Sequence, residues 1–185
     1  RARAVAAVAL SVASRGLGRR RPTVRRGAAC APVVAAFSTV LRQVAFNRVA
    51  DACDPARRTE GELSIEQLGK IYQSKLQPMF GDALILTDEH EGWWSYVEHF
   101  LHTPGYVYAY AFGNLLALSV YQRFLEQGPA FVDDYLEFLA AGGSTPPAEL
   151  VKRLGMDITD PDFCDAGLRI LDGMVTQVEE LAARA

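Results

Sequence analysis

The segment EHFLHTPGYVYAY, residues 98–110, gathers most of the side chains able to do chemistry: Glu98, His99, His102, Tyr106, Tyr108 and Tyr110. His99 and His102 are three apart and share a helix face, with Glu98 four residues before His102. Two imidazoles and a carboxylate can hold a metal, but this spacing matches no recognised ligand pattern. The plainer expectation is a pair of core or rim histidines with ordinary hydrogen bonds. The three tyrosines lie two apart. In a helix that spacing sends them to different sides; in a loop containing Gly105 several could face one cleft. A phenol there can donate to a developing oxyanion. On the residues alone, aromatic packing with satisfied hydroxyls is the stronger reading.

Other chemistry is missing. His90-Glu91 begins like H-E-x-x-H, but Trp94 stands where the second histidine should be. It reads as surface polar sequence. There is no G-x-S-x-G, no dinucleotide fingerprint and no P-loop. Gly142-Gly143-Ser144 is a turn. The chain carries no complete catalytic set.

The elements that must position these residues are helical. No stretch alternates with period two over β-branched residues, so strands are not expected. Helices are predicted from Phe37 to about Asp51, from Ile65 to near Pro78 behind a Ser64/Gln67 capping box, and briefly around Trp93, Trp94 and Val97. A long helix follows from Gly105 to Gln127, then others over 131–139, from Pro147 to Leu154, and from Pro161 towards Leu181. The fold class is all-α, a helical bundle. Residues 100–122 contain no Asp, Glu, Lys or Arg, long enough to span a bilayer. His102, Pro104, Asn114, Gln122 and four tyrosines argue instead for a buried helix of a large domain, so no membrane partner is expected.

Charge divides the chain. Residues 1–35 hold eight Arg and no acid; residues 36–185 hold the other 11 basic residues and all 22 acids, a net −11. An acidic body excludes nucleic acid as a partner. Residues 1–34 therefore read as a leader: non-native, out of frame or targeting-like, and disordered. Residues 35–185 are the helical portion. Cys30, Cys53 and Cys164 form no C-x-x-C, which indicates neither a disulfide framework nor a thiolate zinc site and suits a reducing compartment such as the cytoplasm.

With these pieces in order, the stretch HFLHTPGYVYAYAFGNLLAL, His99 to Leu118, resembles the oligoendopeptidase F signature: a His-Phe pair, a Pro, then Tyr-x-Tyr-x-Tyr-Ala-x-Gly. RQVAFNRV from Arg42, GELSIEQLGKIY (61–72), FGD (80–82), YLEFLAAGGSTPPAEL (135–150) and GMDITDPDFCDAGL (155–168) are similar to the same family in the same order. The likeness covers about Phe37 to Leu181.

The resemblance implies a zincin-type, mostly helical endopeptidase that cleaves short peptides in an enclosed channel. Its zinc is held by the two histidines of H-E-x-x-H and a downstream Glu, all before the equivalent of Phe37. This chain would then be the C-terminal part of the catalytic domain. It would bind no zinc by itself, be inactive alone, and have the missing N-terminal part of the same enzyme as its partner. It would keep the His/Tyr wall opposite the metal. There Tyr110 matches the tyrosine that binds the tetrahedral intermediate and His99 the histidine beside it. Tyr106 and, less closely, Tyr108 fall at substrate-binding positions. Gly105 stands where Phe is commoner in the family. A second reading, a helical module that binds peptides without cleaving them, predicts a stable monomer with measurable peptide affinity.

Overall fold

The structure, a computed structural model, describes residues 22–160 and 162–183. Among them every regular element is helical and none is a strand, which is the expected class. The order is α1 (Pro22–Ala36), a π-helical turn (Phe37–Leu41), α2 (Arg42–Glu60), α3 (Ile65–Phe80) and a 3₁₀ helix (Asp88–Tyr96). Then come α4 (Glu98–His102), α5 (Tyr108–Gln127), a 3₁₀ turn (Gly128–Phe131), α6 (Val132–Ala141), α7 (Pro147–Arg153) and α8 (Phe163–Ala183).

Several boundaries differ from expectation. The leader expected over residues 1–34 lies outside the described residues up to 21, and from Pro22 it is helix α1. Helix α2 runs on past Asp51 and through Pro55 to Glu60, where Gly61 at φ 88° ends it. Cys53 packs against the core on this added length, and beyond Pro55, which cannot make one helical hydrogen bond, the Thr59 hydroxyl donates to the Pro55 carbonyl at 3.0 Å. The long helix expected from Gly105 begins only at Tyr108, after the separate short helix α4. Pro161, expected to open α8, lies outside the described residues.

Two compact units divide the described residues: one within 36–112, and one within 113–183 together with 22–35. The first unit is built on Ala45, Phe46 and Val49 of α2, Tyr72 and Leu76 of α3, and the buried Val97 and Val107. The positions on α2 and α3 follow the i, i+3/i+4 spacing of an apolar helix face. Ser64 caps α3: its hydroxyl accepts from the Gln67 backbone N–H, and the Gln67 carboxamide oxygen accepts from the Ser64 N–H. Gln77 then holds the loop after α3, donating to the Gly81 and Leu84 carbonyls and accepting from Leu86 N–H.

The second unit packs Val120 of α5, Phe131 and Leu154 with Leu116, Tyr135, Phe138 and Met156. Ser119 Oγ donates to the Phe163 carbonyl at 3.2 Å, fastening α5 to the start of α8. In the loop before α8 the Thr159 hydroxyl and N–H both donate to Asp157 Oδ1, which holds that carboxyl below its ordinary value.

By length and composition one described helix is apolar enough to cross a membrane, and it is not the segment 100–122. It is the run Ala29–Glu60, with a mean hydropathy of 1.5 over its most apolar window.

Candidate functional site

The short helix α4 is set by its apolar neighbours. Val97, just before it, is 5% exposed. Phe100 meets Phe46 edge-on with ring centroids 5.4 Å apart. With Phe100 drawn to the core, the preceding His99 is left half-buried at the rim.

The chain then reverses. Tyr106 N–H donates to the Thr103 carbonyl at 3.2 Å, and Gly105 takes φ +73°, a left-handed conformation that glycine adopts without strain. Val107, 2% exposed, anchors the turn in the core. Ala109 N–H then bonds Tyr106 O at 3.0 Å and Tyr110 N–H bonds Val107 O at 3.4 Å, opening α5. Tyr106 and Tyr110 are four residues apart across this opening and fall on one face. Tyr108, between them, does not.

This brings three of the expected residues together. His99 Nε2 lies 2.8 Å from Tyr110 Oη, a hydrogen bond between helix α4 and helix α5. The two rings meet edge-on, 5.1 Å apart at 84°. Tyr106 stacks on His99 at 6.1 Å and 12°, and meets Tyr110 edge-on at 5.4 Å. Each of the three rings thus touches the other two. Tyr106 remains 47% exposed, so the cluster opens to solvent on one side. Tyr108 is 57% exposed and joins none of these ring contacts.

The arrangement suits hydrogen bonding to a polar ligand more than nucleophilic attack. A phenol carries one proton and two lone pairs, an imidazole one donor and one acceptor when neutral. Cys53, the thiol in this unit, sits in α2, and burial with the nearby Asp54 pushes it up from its ordinary value. That disfavours the thiolate a nucleophile needs.

The other expected chemistry falls apart. His102 is exposed, and among the described residues no three His, Cys, Asp or Glu side chains lie together to hold a metal. The described residues therefore do not fit a zinc site. His90 serves the start of the 3₁₀ helix, its Nδ1 accepting from Thr87 N–H at 3.1 Å. That helix has about three residues per turn, so His90, Trp93 and Tyr96 line up along it. Their successive ring separations are 4.3 and 6.1 Å, an alignment the period-three spacing could have revealed. A cleft of about 590 Å³ in the second unit is lined by Leu116, Phe138, Leu150 and the Gly142–Pro147 loop, with no acid or base among its lining residues.

Comparison with known proteins agrees on one family. A family model described as "Peptidase family M3" matches residues 31–170. Its start precedes the Phe37 expected from the motifs and takes in the last residues of the expected leader. The chain is 33% identical over 144 residues to "Oligopeptidase PepF" of Bacillus subtilis, covering 77% of this chain and 21% of that protein. It is 28% identical over 148 residues to "Group B oligopeptidase PepB" of Streptococcus agalactiae, covering 79% and 24%. It thus spans between a fifth and a quarter of the length of these curated relatives. The solved oligoendopeptidase-F from Enterococcus faecium superposes with a TM-score of 0.83 at 25% identity, over 93% of this chain and 33% of that one.

Proposed function

The chain belongs to peptidase family M3, and we propose that its cluster of His99, Tyr106 and Tyr110 forms the surface that holds the scissile carbonyl of a short peptide during hydrolysis. The observation that carries this reading is the 2.8 Å hydrogen bond between His99 Nε2 and Tyr110 Oη at an open face beside Tyr106.

Peptide hydrolysis adds a water oxygen to the carbonyl carbon. The carbonyl oxygen then carries the negative charge until the C–N bond breaks and the amine leaves with a proton. A donor fixed where that charge appears lowers the barrier. Tyr110 is the donor in this reading. It is held in place from one side by His99 and from another by Tyr106, so little reorganisation is needed at the moment of reaction. Tyr106, half-exposed beside it, offers the peptide an aromatic surface and a second hydroxyl. Tyr108 is left out of the site.

Activating the water is not assigned to any residue described here. Zinc is the family's expected means, and the described side chains do not supply its ligands. The hydrolysing unit in this reading is the longer protein, with this chain as its substrate-holding portion and short peptides as substrates. The cytoplasm is the proposed compartment, in keeping with Cys30, Cys53 and Cys164 all being free thiols.

The test is Phe at the position of Tyr110 in a full-length relative. Turnover should fall by about 10²–10³, the usual loss for one oxyanion donor, with KM little changed. An unchanged turnover number removes Tyr110 from the chemistry and leaves the peptide-binding module as the better reading.

A further inference from the structure

Tyr110 has one hydroxyl proton, and the 2.8 Å contact with His99 Nε2 allows two directions for it. If Nε2 is bare, the phenol donates to it and has no proton left for a substrate. If Nε2 carries a hydrogen, His99 donates to the phenol oxygen, and the Tyr110 proton points elsewhere. The tautomer of one ring therefore decides whether the other can act as a donor at all.

We propose that His99 is a positioning residue: it carries its proton on Nε2, donates to Tyr110 Oη, and so turns the Tyr110 proton outward to the substrate. This rests on the function proposed for Tyr110 and adds the means by which that residue is made competent.

Three observations support it. The 2.8 Å separation puts the Tyr110 oxygen within hydrogen-bond reach of Nε2, so a proton carried there has this oxygen as its acceptor. Tyr106, stacked nearly parallel on His99, resists rotation of the imidazole that would exchange its nitrogens. Tyr110 is itself packed edge-on against Tyr106, so its ring cannot turn away to find another partner. A hydrogen bond donated to the phenol oxygen also strengthens that hydroxyl as a donor, because bonds in a chain polarise one another. His99 then acts through Tyr110, with no contact to the reacting atoms required of it.

The direct readout is nitrogen NMR on this chain with ¹⁵N-labelled histidine, which has only three imidazoles to assign, those of His90, His99 and His102, with two ring nitrogens each. His99 should show a protonated Nε2 whose shift moves when Tyr110 becomes Phe. A bare Nε2 overturns the proposal. The second readout is a double-substitution cycle at the equivalent positions of a full-length relative. His99→Leu should lower turnover roughly tenfold, about the net worth of one hydrogen bond. His99→Gln, which keeps an N–H, should restore most of it. In a Tyr110→Phe background His99→Leu should cost nothing further. Losses that multiply instead mean that His99 meets the substrate itself, which overturns this inference while leaving the role of Tyr110 intact. Normal turnover in Tyr110→Phe alone would defeat the underlying function instead.

Discussion

Gly69 of α3 lies directly against Glu91: a Cβ on Gly69 would stand 2.9 Å from Glu91 Cβ and 3.1 Å from its carbonyl oxygen. Both atoms are near or in the backbone and have little room to give. The 3₁₀ helix that bears Glu91 leads through Val97 into α4 and His99. A residue type on α3 thereby sets the path of the chain that carries the site.

Gly69→Ala should therefore destabilise the protein, although alanine is the better helix former. The propensity gain is about 1 kcal/mol. Overpacking against a rigid neighbour costs about 1–3 kcal/mol, so the clash wins or at least cancels the gain. Gly173 gives the opposite sign. It is inside α8 with nothing within 4 Å of an added Cβ, so Gly173→Ala should stabilise by up to about 1 kcal/mol. Urea melts of the two variants check the pair; a stabilised Gly69→Ala would show that the 3₁₀ helix can move aside.

Tyr72 makes stability fall at high pH. It is 1% exposed, and burial, reinforced by Tyr96, pushes its hydroxyl up to about 12. The unfolded chain releases this proton near the ordinary value of about 10. The folded state therefore holds it longer, and its contribution is complete below about pH 10 and lost as the pH rises through about 12. The amount is on the order of 2 kcal/mol. Melting temperatures measured from pH 9 to 12 should fall for the parent and fall less steeply for Tyr72→Phe. Identical slopes would mean that some other group governs the alkaline limb.

Tyr106 and Tyr108 should separate cleanly. Tyr106→Leu removes two ring contacts and should cost about 0.5–1.5 kcal/mol beyond the area lost, towards the lower end because the ring is half-exposed. Tyr108→Leu should stay within about 0.5 kcal/mol. The His99 ring-proton shifts should move in the first variant and hold in the second. Equal shifts in both would place Tyr108 in the cluster.

The helices were readable because their signals are local. Ser64 and Gln67 form their capping box within four residues, and Gly61, Gly81 and Gly142, at helix ends, all take positive φ. The absence of period-two patterning foretold the absence of strands among the described residues. The motifs from His99 to Leu118 were specific enough to place the chain in its family. Less legible were the limits of elements held by packing. The extension of α2 past Asp51 carries Cys53 against the core, and the late start of α5 depends on a turn whose anchor, Val107, is an ordinary residue in the sequence.

The residue types and order of this chain determined an all-helical protein of one peptidase family, with His99 and three tyrosines as candidates. Which tyrosines meet His99 was decided only by the tertiary structure. Burial of Val107 and the left-handed turn at Gly105 put Tyr106 and Tyr110 on one side and Tyr108 on another. Packing of Phe100 on Phe46 then brings His99 across to them. A two-residue spacing has no face of its own until the chain around it is bent, and the bend is set by contacts far apart in sequence.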